Sequence, residues 1–242
     1  VLTIWIIFRR EVAQYFASPL AYLIAAAFLL LTGITFNNDV ALSITVKPVE
    51  PALIPDLLAE IMVLIAPLLT MRLLAEEHRE GTVELLLTAP IADSSIVIGK
   101  FLSAWAYFTF LLALTLLYQF IVVNISQPDI AHTIAAYLGI WLYGGATLAV
   151  GLLFSATTEN QILAAFLSLI TLLVLYFGDS AGQIVANLDV AAILFNLTLR
   201  GHYAPSFSIG VVRAEDVVYY AGVMAVALFI AIRLLESKRW RG

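Results

Sequence analysis

The stretch RLLAEEHREGTVELLLTAPI, Arg72–Ile91, governs how the rest of the chain is read. Between Arg72 and Glu84 it holds four glutamates, two arginines and a histidine, and a leucine-rich turn and Pro90 follow at once. Long apolar runs flank it on both sides. A dense charge cluster between two such runs marks a point where the chain leaves an apolar medium for water.

Composition says what that medium is. Of 242 residues, 62% are hydrophobic and 12% charged, with a mean hydropathy of +1.00. A soluble domain carries about 25% charged residues, so the chain reads as an all-α integral membrane protein. It has no cysteine, which excludes disulfides, thiolate metal sites and cysteine nucleophiles. Three scattered histidines give no metal-ligand pattern, and none is expected to bind metal. A net charge of −5 argues against nucleic acid, which needs a basic surface to displace counterions. The apolar run from Ala17 to Phe36 is longer than a secretory h-region, so it is read as a retained anchor.

Since a helix needs about 20 mostly apolar residues to cross a bilayer, six spans are expected, at about 18–36, 54–75, 97–123, 133–156, 161–178 and 215–235. Backbone groups in hydrocarbon must bond internally, which favours helix throughout. Arg9, Arg10, Arg72, Arg79, Lys100, Arg233, Lys238, Arg239 and Arg241 fall on one side of that arrangement, and Lys47, Arg200 and Arg213 on the other. The basic excess places the first side, and with it both termini, in the cytoplasm. Residues 1–17 mix Ile4, Trp5, Ile7 and Phe8 with Arg9, Arg10, Glu11 and Gln14, a pattern that suits an interfacial elbow helix. Residues 180–214 are too polar to span and too apolar for a free loop, so a short helix and a turn on the outer leaflet are expected.

In this frame the opening stretch lies at the cytoplasmic end of span two. Glu76 with Arg79, and Glu77 with Glu80, share a helix face, so the helix is expected to continue past the membrane as a stalk. Gly81 suits its C-terminal cap, Thr82 can cap a new short helix, and Glu84 falls in the first turn of that helix. Val83, Leu86, Leu87 and Pro90 then recur on one apolar face. A short apolar face held in water by a charged stalk suits docking of a cytoplasmic partner. Helices that lie on a membrane surface favour Lys and Arg instead. Lys100, near the start of span three, is expected to snorkel to the inner interface.

The segment APLLTMRLLAEEHREGTVELLLTAPI closely resembles the second span and coupling helix of ABC-2 type transporter permeases, in particular the gliding-motility-associated and copper/nitrous-oxide-associated subgroup. EVAQYFASPLAYLIAAAFLLLTG is similar to their elbow and first span, and GHYAPSFSIGVVRAEDVVYY and RLLESKRW to their last loop and span. The resemblance implies a permease subunit of the bacterial or archaeal inner membrane. Two cytoplasmic ATPase subunits would drive it, it would pair with a second copy or paralogue, and an accessory extracytoplasmic or membrane protein could join. It implies that ATP and Mg are bound by the ATPase, and that this chain itself holds no cofactor. It also implies an ATPase interface at Glu76, Glu77, Arg79, Gly81, Thr82, Val83, Glu84, Leu86, Leu87 and Pro90. The sequence agrees: Gly99-Lys100 is followed by Phe101, so G-x-x-x-x-G-K-[ST] is not met and ATP hydrolysis is expected in another chain.

Glu60, about one turn inside the outer end of span two with Asp56 four residues before it, is a candidate intramembrane polar site. It would serve a proton-coupled secondary transporter, a rival that also wants broken helices at mid-membrane. A non-transporting scaffold of a motility or secretion machine is the other rival. In span four, Gly139, Gly144, Gly145, Ala149 and Gly151 have small-residue spacing that lets helices approach, and packing within one subunit is the expected use.

Overall fold

The computed structural model describes residues 2–43, 50–79, 92–125, 129–184 and 195–239. Helix is the only extended secondary structure among the described residues. It comprises α1 (Leu2–Ala17), α2 (Pro19–Ser43), α3 (Leu53–Thr70), α4 (Ala75–Arg79), α5 (Asp93–Ile125), α6 (Ile130–Thr157), α7 (Gln161–Ile184), α8 (Leu199–Tyr203) and α9 (Ala214–Arg239). Among the described residues six are long and apolar enough to cross a membrane: α2, α3 with its extension to Arg79, α5, α6, α7 and α9. α1 is amphipathic and is not one of them. It lies against α5, where Gly99 lets it approach so closely that an added Cβ would sit 2.9 Å from Ile7.

α6 is the centre of the bundle and packs against α3, α5, α7 and α9. Its small residues make that possible. Gly144 receives the ring of Phe108, Gly145 lies against Trp105 and Met224, and Gly151 against Thr70. The small-residue face is thus consumed inside one subunit. α2, α7 and α9 stay on the outside, with large apolar residues such as Leu23, Phe166 and Phe229 exposed, as suits helices in contact with lipid.

The bundle has a proximal end, where α2 begins and α3 finishes, and a distal end opposite. A cap built from residues 195–213 closes the distal end. Thr198 caps α8 by accepting from the Gly201 amide, and a 3-10 turn at Phe207–Ile209 follows, closed by Gly210 at φ 85°. The short helix and turn expected for this stretch are present. Leu197, Ile209 and Val212 stay exposed, while Leu199, Tyr203 and Phe207 are buried among the helix ends, where the notch at Gly139 accepts the Phe207 side chain. Polar groups pin it from two sides. The His132 ring donates to the Ser208 carbonyl at 2.6 Å, and His202 lies 2.7 Å from Asp216 while stacking on Tyr219. Burial first, then the charge of Asp56, pushes the Tyr203 phenol well above its usual pKa, so it keeps its proton beside that carboxylate.

The notch predicts a simple result. A Cβ at Gly139 would come within 2.3 Å of Phe207 Cβ and Cγ, atoms that cannot swing aside. Gly139→Ala should cost about 1–3 kcal/mol through overpacking and expose the cap to protease. Gly222→Ala meets nothing within 4 Å and should leave both the unfolding midpoint and the digestion pattern unchanged.

Candidate functional site

The expected uninterrupted run from span two into the stalk is corrected: the helix breaks at Met71–Leu74, between α3 and α4. Pro67 lies one turn before the break and already lacks an amide to donate. At the break itself the side chain of Ser155, from the end of α6, enters the backbone ladder. Its Oγ accepts from the amides of Leu74 and Ala75 at 3.0 and 3.1 Å and its hydroxyl donates to the Met71 carbonyl at 3.1 Å. Leu73 turns to the Thr70 carbonyl. The Leu69 carbonyl, left without its helical donor, accepts the Tyr15 hydroxyl from α1 at 2.8 Å. A side chain inserted into the ladder is a recognised cause of a kink. Here the groups freed by it are taken up by two other elements.

Ser155→Ala would leave two buried amides and a carbonyl without these partners. The expected loss is about 1–3 kcal/mol, read by chemical unfolding of the purified protein in micelles.

Beyond the break, α4 is held by charge. Glu77 Oε1 lies 2.9 Å from Lys100 Nζ on α5 and 3.1 Å from Arg10 on α1. Glu11 Oε1 lies 2.7 Å from Arg10 and 3.1 Å from the same Lys100. Two cations and two carboxylates therefore alternate around a closed ring that ties elbow, stalk and third span together. Lys100 is 2% exposed. Its expected snorkelling to the interface is corrected, because the two glutamates supply inside the fold what water would supply outside. Partial burial works against the charge on Arg10. The hydrogen bond and charge of Glu11, followed by those of Glu77, outweigh it and raise the guanidinium pKa. Burial first, with the Glu11 charge added, pushes the Tyr15 phenol above its usual value, so it remains a donor to Leu69.

Of the residues singled out from sequence, Glu77 lies in this ring, Glu76 faces a cavity beside it, and Arg79 is exposed at the end of α4. Gly81, Thr82, Val83, Glu84, Leu86, Leu87 and Pro90 lie outside the described residues. Glu60 is not brought near the ring. It is exposed on α3, in line with Leu64 and Leu68, while Asp56 one turn earlier faces Tyr203 and Ser208 under the cap. Arg10, Glu11, Tyr15, Lys100 and Ser155 were not foreseen as parts of one site. A lysine seven positions into an otherwise apolar helix was the available signal, since it must find carboxylates or reach water.

No curated protein matches the chain at a significant level. Residues 5–208, which include the elbow from Trp5 onward, the stalk and the cap as far as Ser208, match the family described as ABC-2 family transporter protein. The chain therefore belongs to the ABC-2 transporter family and is a multi-pass membrane permease subunit of an ABC transporter.

Proposed function

We propose that this permease couples ATP hydrolysis by two cytoplasmic ATPase subunits to export, or to mechanical work, across the inner membrane of a bacterium or archaeon, acting with a second permease copy or paralogue. The family works with ABC ATPase subunits. The observation that carries the coupling reading is the anchoring of α4: Glu77 bonds to both α1 and α5, and Ser155 of α6 bonds to the break above it. A load applied just beyond Arg79 reaches three elements through short polar contacts instead of dissipating in a free loop. The apolar face expected from the sequence at Val83, Leu86 and Leu87 is the surface on which the ATPase would press, with the elbow helix beside it. ATP can move the spans only through contacts that differ between the ATPase states. The gliding-motility and copper/nitrous-oxide subgroup is the specific setting that the sequence likeness favours.

Orientation tests this reading, because the stalk must face the ATPase. In intact cells, cysteines introduced singly at Lys47, Asp129 and Arg200 should react with an impermeant maleimide. Cysteines at Arg79, Glu159 and Lys238 should react only after the membrane is opened. The chain has no native cysteine to confuse the result. External labelling at position 79 would overturn the orientation and the coupling role with it.

A further inference from the structure

A cavity of about 460 Å³ opens between α1, α2 and α3, beside the ion ring. That volume lies in the range of small-molecule sites, roughly 300–1,000 Å³. Its lining is of two kinds. Arg10, Gln14, Arg72 and Glu76, which lie outside α2 and α3, form its polar end with Glu11, Glu77 and Lys100. Leu20, Ala21, Ile24 and Leu68, within those two helices, form its apolar end. Leu68 lies in the last turn of α3, before the break that holds Arg72. A polar mouth at the membrane surface over an apolar slot along two spans has the same order of chemistry as a phospholipid, headgroup first and acyl chain below.

The charges at the mouth say which headgroup. Arg10 and Lys100 are already matched by Glu11 and Glu77. Arg72 is exposed and Glu76, one turn further on, is half-buried; neither bonds to any of the described residues. The mouth therefore offers one guanidinium and one carboxylate, each still open to a ligand. Arginine pairs with phosphate oxygens through parallel N–H donors, and a carboxylate pairs with a primary ammonium. We propose that this cavity binds one zwitterionic phospholipid of the phosphoethanolamine type, with phosphate on Arg72, ammonium on Glu76 and an acyl chain along α2 and α3. The site rests on the membrane-spanning reading of the chain and is independent of how ATP is coupled. Bound there, the lipid would join the elbow to span two beside the ion ring, whose Glu11, Glu77 and Lys100 also line the cavity.

The test is native mass spectrometry of the full-length purified permease, titrated with dioleoylphosphatidylethanolamine, dioleoylphosphatidylglycerol or dioleoylglycerol. The expected result is one retained phosphatidylethanolamine, weaker phosphatidylglycerol, no retained dioleoylglycerol, and no displacement by inorganic phosphate. Arg72→Gln should weaken phosphatidylethanolamine by roughly tenfold, the scale of a lost charge-assisted pair. Glu76→Gln should abolish the preference over phosphatidylglycerol. Gln14→Trp, which fills the mouth and keeps both charges, should also lose the lipid, and Arg233→Gln on α9 should not. Retention of dioleoylglycerol equal to that of phosphatidylethanolamine, or unchanged binding in Arg72→Gln, would overturn the site. Displacement by inorganic phosphate would reassign it to a free anion. Because the ATPase is absent from the measurement, none of these outcomes bears on the coupling proposal.

Discussion

Replacing Lys100 with methionine is expected to lower the stability of the permease by about 3–5 kcal/mol, the cost of breaking a buried ion pair from one side. The lysine is 2% exposed and Glu11 is 5% exposed at the side chain, so neither can turn to water without opening the packing of α1 on α5. With the ammonium gone, Glu11 and Glu77 would share Arg10, whose side chain is 47% exposed and already bonded to both. Two carboxylates would then face each other across a hole in low dielectric. Chemical unfolding in mixed micelles reads the loss. Adding Glu11→Gln should restore part of it, because the second change removes an uncompensated charge; with the Glu11→Gln single variant measured too, the cycle gives the coupling energy. A Lys100→Met protein within about 0.5 kcal/mol of the parent, the range of an ordinary surface change, would mean that the ring does not hold the elbow.

The six spans were legible because the bilayer sets a length that composition alone can meet, and apolar runs such as Pro19–Leu42 and Ile130–Thr157 meet it. The glycines of α6 were legible for the same local reason: small residues at helical spacing need a neighbour to fill them. The partners were not legible. Phe207 in the Gly139 notch and Ser155 at the Leu74 amide are contacts between residues 68 and 81 positions apart, and no local pattern encodes them. Lys100 misled for a physical reason. A lysine near a helix end costs least when its stem reaches water, and the two carboxylates that reverse that preference, Glu11 on the elbow and Glu77 on α4, lie far from it in the chain. The break at Met71–Leu74 carried a weak local sign in Pro67, yet what sets its place is the hydroxyl of Ser155. Of the proposed ATPase interface, Glu76, Glu77 and Arg79 could be placed from helical spacing. That Glu77 turns inward to the ring while Arg79 stays in solvent required the fold.

The second large effect concerns the coupling face. Leu86→Asp would put a carboxylate into the apolar contact proposed for the ATPase, costing on the order of several kcal/mol if it stays charged and unpaired. Only about 1.4 kcal/mol is needed for a tenfold change, so permease-dependent ATP turnover is expected to fall tenfold or more. Co-purification of the ATPase should fall with it. Insertion and unfolding stability should be unaffected, because the proposed contact lies outside the bilayer. Leu197→Asp is the matched change at the distal end, where Leu197 is already 57% exposed; it should leave turnover intact. Loss of turnover in Leu197→Asp with full activity in Leu86→Asp would place the energy input at the wrong end for this account.

The most direct test of the coupling claim is contact itself. The chain contains no cysteine, so Leu86→Cys and Leu197→Cys each give a single attachment point for a photoactivated crosslinker in the assembled transporter. The prediction is a crosslink from position 86 to the ATPase whose yield changes between the nucleotide-free and ATP-bound states, and none from position 197. A crosslink from position 197 with none from position 86 would contradict the account.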